Sequence, residues 1–138
     1  MEQLDKTVFL STERLRALKL FTTKHKGGFK NRNDFADWFV AQLITQNCCC
    51  YYCETSIILI NKLIATGVLK TRATGYGARG PVLEVDKKFN EQGYSAANCV
   101  LACYYCNNDK SYTLDDVVYK KYFGANRKAF FDYLLQTS

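Results

Sequence analysis

The stretch PVLEVDKKFNEQGYSAANCVLACYYCNNDK, residues 81–110, decides the fold. It holds a short apolar run ending in an acid (Val82, Leu83, Glu84, Val85, Asp86), a polar loop closing on Gly93 and Tyr94, and a second apolar run from Asn98 to Ala102. Alternating apolar residues bounded by turn chemistry predict a β-hairpin. A Cys-x-x-Cys pair, Cys103 and Cys106, comes next with Asn107 beside it, and the plan becomes strand, loop, strand, metal knuckle, helix.

An earlier segment repeats the knuckle, because Cys50-Tyr51-Tyr52-Cys53 has the same four letters as Cys103-Tyr104-Tyr105-Cys106. Two cysteines at this spacing can turn both sulfurs toward one tetrahedral ion, and two such pairs complete a closed structural zinc site. A redox Cys-x-x-Cys is the rival, but neither pair sits in a thioredoxin-like strand-to-helix context. Cys48 and Cys49 read as small buried residues, with Cys49 an alternative ligand, and Cys99 reads as a core residue.

The segment LEVDKKFN…GY…NCVLACYYCNNDK, preceded by CYYCE, resembles the four-cysteine branch of the HNH endonucleases, the ββα-metal or His-Me finger superfamily. The resemblance spans roughly residues 50–111, and the combination of motifs is more specific than any one of them. It implies an α+β fold: a ββα-metal hairpin and helix stapled by a four-cysteine zinc site, with supporting N-terminal and C-terminal helices. By matching position it implies that Asp86 and Asn107 hold a catalytic divalent ion, Mg²⁺ or Mn²⁺, for which oxygen donors are suited. It further implies that Asn98 orients the catalytic region and that Lys110 matches the lysine after the knuckle. The bland readings are strand-end or turn hydrogen bonding for Asp86 and Asn98, and a helix cap for Asn107.

One position departs from the pattern. Where the family has its first His, the general base, this chain has Lys87. A protonated lysine has three donors and no acceptor, so it cannot take a proton from water. Three roles stay open for it: a base whose proton affinity the ion has lowered, an electrophile that stabilises phosphate charge, or the relic of a lost nuclease site.

The remainder of the chain reads as support. With 138 residues, 48% hydrophobic and 23% charged, the composition is that of one globular domain: a helical part over residues 1–47, the zinc-stapled core over 48–124 and a last helix over 125–138. Seven cysteines without a signal-peptide pattern favour a reducing cytoplasm, and no apolar run reaches the roughly 18 residues of a membrane span. The net charge of +6 attracts polyanions and agrees with nucleic acid, DNA by the resemblance.

Ser11 is positioned to cap a first helix with Leu15, Leu18 and Phe21 on one face, ended by Gly27 and Gly28. The basic loop after it, with Lys24, Lys26, Lys30 and Arg32, reads equally as a phosphate contact or a solvated connector. His25, the only histidine, reads there as a surface residue, its rival role being a proton acceptor for the hairpin. A second helix from Asn31 or Asn33 carries Phe35, Trp38, Phe39 and Leu43 as packing, and a third runs from residue 55 or 56 to 66 with Gly67 as its left-handed cap. The glycine-rich loop over residues 70–80 offers Arg72 and Arg79 to a nucleic-acid backbone, and Lys88 and Lys110 complete the set of expected contacts. Residues 113–116 start a capped helix that Gly124 stops, before the last helix.

The sequence thus points to a metal-dependent, HNH-like endonuclease cleaving DNA phosphodiesters. The alternatives are a catalytically silent, zinc-stabilised DNA-binding module and a protein-binding inhibitor or adaptor on the same scaffold.

Overall fold

The hairpin forms where the alternation predicts it, in a computed structural model that describes residues 3–74 and 77–137. The described residues form twelve elements. Helix α1 (Gln3–Leu20) and α2 (Arg32–Thr45) are joined through a 3₁₀ turn (Thr23–His25), and α3 (Ile57–Ala65) comes after the first cysteine knuckle. A small pair, β1 (Ala73–Thr74) and β2 (Gly77–Ala78), precedes the hairpin of β3 (Glu84–Lys87) and β4 (Cys99–Ala102). Then come α4 (Tyr104–Lys110), α5 (Asp116–Tyr119), a π turn (Lys120–Gly124) and α6 (Ala125–Thr137).

In the hairpin Glu84 pairs with Ala102, Val85 with Leu101, Asp86 with Val100 and Lys87 with Cys99, all antiparallel. Every residue of β4 is buried, because the strand pairs with β3 and packs against α2. The result is an α+β structure in which a hairpin is followed by a helix, the cysteine knuckles bridge the two, and helices flank them on both sides.

Helix α2 starts as its chemistry dictates, with the Asn31 side chain accepting the Asp34 N–H at 2.8 Å, and buries Phe35, Phe39 and Leu43. Ser56 caps α3 through the Ile58 N–H, and Gly67 takes φ +79° after its end. Helix α1 differs from the expected one. Ser11 lies inside it, exposed, and Leu15 is 63% exposed, while Glu13 and Ala17 form the buried face. The reason is an ion pair: Arg16 holds Glu13 with two 2.9 Å hydrogen bonds and donates a third to the Leu83 carbonyl, which ties α1 to the hairpin. The helix ends at Leu20 rather than at the glycines, where the Thr22 N–H donates to His25 Nδ1.

The C-terminal end also corrects the expectation. Asp115, not Thr113, caps α5, and Gly124 stops nothing: the chain turns through a π segment straight into α6. A Cβ on Gly124 would overlap the Tyr52 carbonyl, so the glycine is there to let the π turn lie against the first knuckle. Gly28 does the same at the other end of the site, packed on the Tyr94 carbonyl.

Candidate functional site

The two knuckles bring Cys50, Cys53, Cys103 and Cys106 together, all buried, with every sulfur within 4.8 Å of the others. Four sulfurs at about 2.3 Å from a tetrahedral zinc stand roughly 3.8 Å apart, and Cys53 and Cys103 stand at 4.0 Å, far beyond a disulfide. Backbone N–H groups of Tyr52 and Cys106 approach Cys50 Sγ and Cys103 Sγ at 3.4 Å. Hydrogen bonds from Cys103, Cys106 and Cys50 push the Cys53 thiol down, whereas those with Cys106, Cys50 and Cys53 push Cys103 up. Four buried sulfurs at this spacing are a donor set that fits structural zinc. Cys49 is outside the cluster, with its thiol directed to the Asn47 carbonyl at 3.3 Å, which removes it as a ligand. Cys48 and Cys99 are buried as expected.

From the first knuckle a side chain reaches directly into the hairpin. Tyr52, 2% exposed, donates its hydroxyl to Asp86 Oδ2, and burial followed by the Asp86 charge pushes that hydroxyl far up, so it stays a donor. Lys110, fully buried in α4, places its ammonium 3.2 Å from the same oxygen and donates to the Lys87 carbonyl at 2.8 Å. Burial raises the Asp86 carboxyl, and Tyr52, Lys110 and Lys87 pull it back only in part. Both contacts fall on Oδ2 and leave Oδ1 without a partner among the described residues.

Asn107 lies one turn before Lys110 on the same face of α4 and donates to Glu84 Oε1 at 2.9 Å. Glu84 and Asp86 share a face of β3, being two residues apart. Two cross-links therefore span the gap between β3 and α4, Asp86 to Lys110 and Glu84 to Asn107. Glu84 is in turn gripped by Arg79, which donates to both carboxylate oxygens and lies 4.6 Å from the Tyr104 ring centre.

Asn98 clasps the hairpin loop instead of touching that gap. Its Oδ1 accepts the Phe89 N–H at 3.1 Å, and its amide donates to the carbonyls of Phe89 and Gly93 at 3.1 and 3.0 Å. Its side chain thus orders the loop between the two strands of the hairpin. Lys87 extends from the opposite face of β3, donates to the Asn90 carbonyl at 3.2 Å and lies 5.0 Å from the Tyr94 ring centre.

No protein-family model matches the chain, and no curated protein matches it. Among solved structures it is similar to the rare-cutting HNH restriction endonuclease PacI. The identity is 27%, the TM-score is 0.48, and the match covers 59% of this chain and 52% of that one. The chain thus spans about half the length of the structure it matches.

The expected nucleic-acid contacts divide. Lys26, Lys30, Arg32 and Arg72 are exposed, and Lys88 is half-buried. Arg79 is committed to Glu84, and Lys110 is removed from the set altogether, because a fully buried ammonium bonded to Asp86 cannot meet a phosphate. His25 corrects the sequence reading too. It is 4% exposed, packed between Phe35 and Tyr94 at ring separations of 4.7 and 4.9 Å, and burial followed by Lys24 lowers its pKa. Tyr52 and Glu84 were not among the expected site residues. The repeated tetrapeptide points to its cysteines, and nothing in a sequence distinguishes a tyrosine that bridges to another strand from one that faces solvent.

Proposed function

We propose that the chain is a metal-dependent endonuclease of HNH type, acting on DNA, with the gap between β3 and α4 as its catalytic centre. The observation that carries the reading is Asp86: a buried carboxylate whose Oδ2 is held by Tyr52 and Lys110 while Oδ1 is left for another partner. Asp86 Oδ1 and Asn107 Oδ1 would hold a hard divalent ion, which supplies Lewis acidity at the scissile phosphate. The residues fit such an ion by donor type, and a carboxyl raised by burial gains when a cation comes to it.

The chain's own groups do the rest. Tyr52 orients Asp86 and, as a committed donor, keeps its carboxylate turned into the gap. Asn98 fixes the loop that follows Lys87. Lys87, donating to a carbonyl and lying beside an aromatic ring, acts as an electrophile for phosphate charge rather than as a base. The cysteine cluster holds β4 and α4 at a fixed distance from the first knuckle, and so keeps Asn107 opposite Glu84.

One observation favours a second reading, a catalytically silent DNA-binding module: the Lys110 ammonium already neutralises Asp86. Plasmid nicking with added Mg²⁺ or Mn²⁺ separates the two. The enzyme reading expects cleavage by the wild type, none by Asp86→Ala with zinc content intact, and most activity lost in Lys87→Ala. Absence of cleavage with any divalent ion, together with retained salt-sensitive DNA binding, would leave the silent module.

A further inference from the structure

Two ammonium groups from segments far apart in the chain converge on one aromatic ring. Lys24, from the turn after α1, places Nζ 5.2 Å from the Tyr94 ring centre, and Lys87, at the end of β3, places its own at 5.0 Å. Gly28 locks the first segment to the Tyr94 backbone, so the convergence is built into the fold rather than left to long side chains. A cavity of about 330 Å³ opens beside them, lined in part by Lys24, His25, Glu84 and Tyr94.

The charges around the Tyr94 ring and the cavity beside it do not cancel. Arg16 is matched by Glu13 and Glu84 by Arg79, and the lowered pKa of His25 keeps its ring neutral near pH 7. Lys24 and Lys87 have no carboxylate within ion-pair distance among the described residues. The π face of one tyrosine attracts each cation weakly, but two like charges held beside the same ring repel one another. A single anion between them relieves that repulsion and gains from both.

We infer that Lys24, Tyr94 and Lys87 form a clamp for one phosphodiester of a nucleic-acid strand, on the face of β3 opposite the β3–α4 gap. The clamp rests on the nucleic-acid reading above and adds a residue from outside the hairpin to it. Tyr94 is the positioning member: its ring holds both ammonium groups extended toward the same phosphate. A phosphodiester suits the site better than a carboxylate ligand because its two free oxygens can each accept from one lysine.

The test is anisotropy titration of a fluorescent DNA duplex over a salt series, in buffer without added divalent ion, with the zinc-loaded full chain. Lys24→Gln is expected to weaken binding on the order of five- to ten-fold and to reduce the slope of log K against log salt by about 1. Lys62→Gln, which removes the same charge from an exposed position on α3, is expected to shift affinity less than two-fold. Tyr94→Leu should lose affinity with no change in net charge, and Tyr94→Phe should restore it. The Lys24→Gln/Lys87→Gln pair should lose less than the product of the single losses, since one phosphate serves both. A wild type that binds DNA while Lys24→Gln and Tyr94→Leu match the Lys62→Gln control would overturn the clamp and leave the nucleic-acid reading standing. A wild type that shows no salt-dependent binding would overturn both.

Discussion

Cys50-Tyr51-Tyr52-Cys53 and Cys103-Tyr104-Tyr105-Cys106 are the same four residues in two conformations with two sets of duties. The first is a tight turn: the Glu54 N–H returns to the Cys50 carbonyl, Cys49 bridges to Ser56, and Glu54 takes φ +57°. The second opens α4, with Cys103 as the cap and Asn107 continuing the helix. The residues after each tetrapeptide decide the difference. Thr55 and Ser56 end the first knuckle because Ser56 caps a new helix, whereas Asn107, Asn108, Asp109 and Lys110 carry the second onward. The tyrosines diverge accordingly. Tyr52 is buried against Asp86, while Tyr105 donates to the Lys70 carbonyl at 2.7 Å and Tyr104 supports Arg79. Four letters fix where two sulfurs point; the neighbours fix what the intervening rings do.

The largest effects should erase the difference between the knuckles. Because the binding energy of a closed four-thiolate site is largely folding energy, Cys53→Ser and Cys103→Ser should both lose the metal and drop the thermal midpoint by on the order of tens of degrees. Chelation of the wild type should do the same. Elemental analysis showing about one zinc per chain in the wild type and none in either variant checks it. A stable Cys103→Ser variant would mean that the second knuckle is held by its helix alone.

The next effect separates the knuckles. Tyr52→Phe removes a donor from a buried carboxylate and should cost about 1–3 kcal/mol, whereas Tyr105→Phe removes a hydrogen bond at the surface and should cost no more than about 1 kcal/mol. If the proposed activity holds, Tyr52→Phe should also lower the cleavage rate by roughly ten-fold or more with little change in substrate affinity, zinc being retained. Equal losses from the two substitutions would deny Tyr52 its positioning role.

This asymmetry marks how far the sequence could be read. The hairpin, α2, α3 and the four ligands were legible because each rests on local chemistry: alternation in residues 82–86, the Asn31 and Ser56 caps, Gly67 at positive φ, and cysteines at knuckle spacing. The face of α1 was not, since its buried glutamate depends on Arg16, whose third bond goes to Leu83 in the hairpin. Lys110 and His25 failed for the same reason in opposite chemical dress. A lysine near a helix end and a histidine in a basic loop both look exposed until Asp86 and the Phe35 and Tyr94 rings cover them. Gly124 looks like a helix stop in the sequence because a glycine says only that something must come close, not what.

A smaller effect tests that last point. Gly124→Ala forces a methyl group into the Tyr52 carbonyl and should cost about 1–3 kcal/mol, with the first knuckle displaced. Gly27→Ala, where a Cβ would meet nothing within 4 Å, is the matched control and should stay within about 0.5 kcal/mol. Denaturant titration reads both. Similar costs at the two positions would show that backbone freedom, not the close approach, is why position 124 holds a glycine.

The smallest effect should change sign between the knuckles. Glu54 comes after the first tetrapeptide with φ +57°, a conformation in which any side chain other than that of glycine costs about 1 kcal/mol. Replacing it by glycine removes that strain but also loosens the unfolded chain, so Glu54→Gly should stabilise by only about 0.5 kcal/mol. Asn107 comes after the second tetrapeptide, inside α4, and holds Glu84. Asn107→Gly places the least favourable ordinary residue in a helix and loses that hydrogen bond, so it should destabilise by about 1–2 kcal/mol. Thermal denaturation of the two zinc-loaded variants side by side, without added divalent ion, measures the pair. Opposite signs arise only if identical knuckles really adopt a left-handed exit in one case and a helical exit in the other; a loss of stability in both would mean that the first exit is held by the Glu54 side chain rather than strained by it.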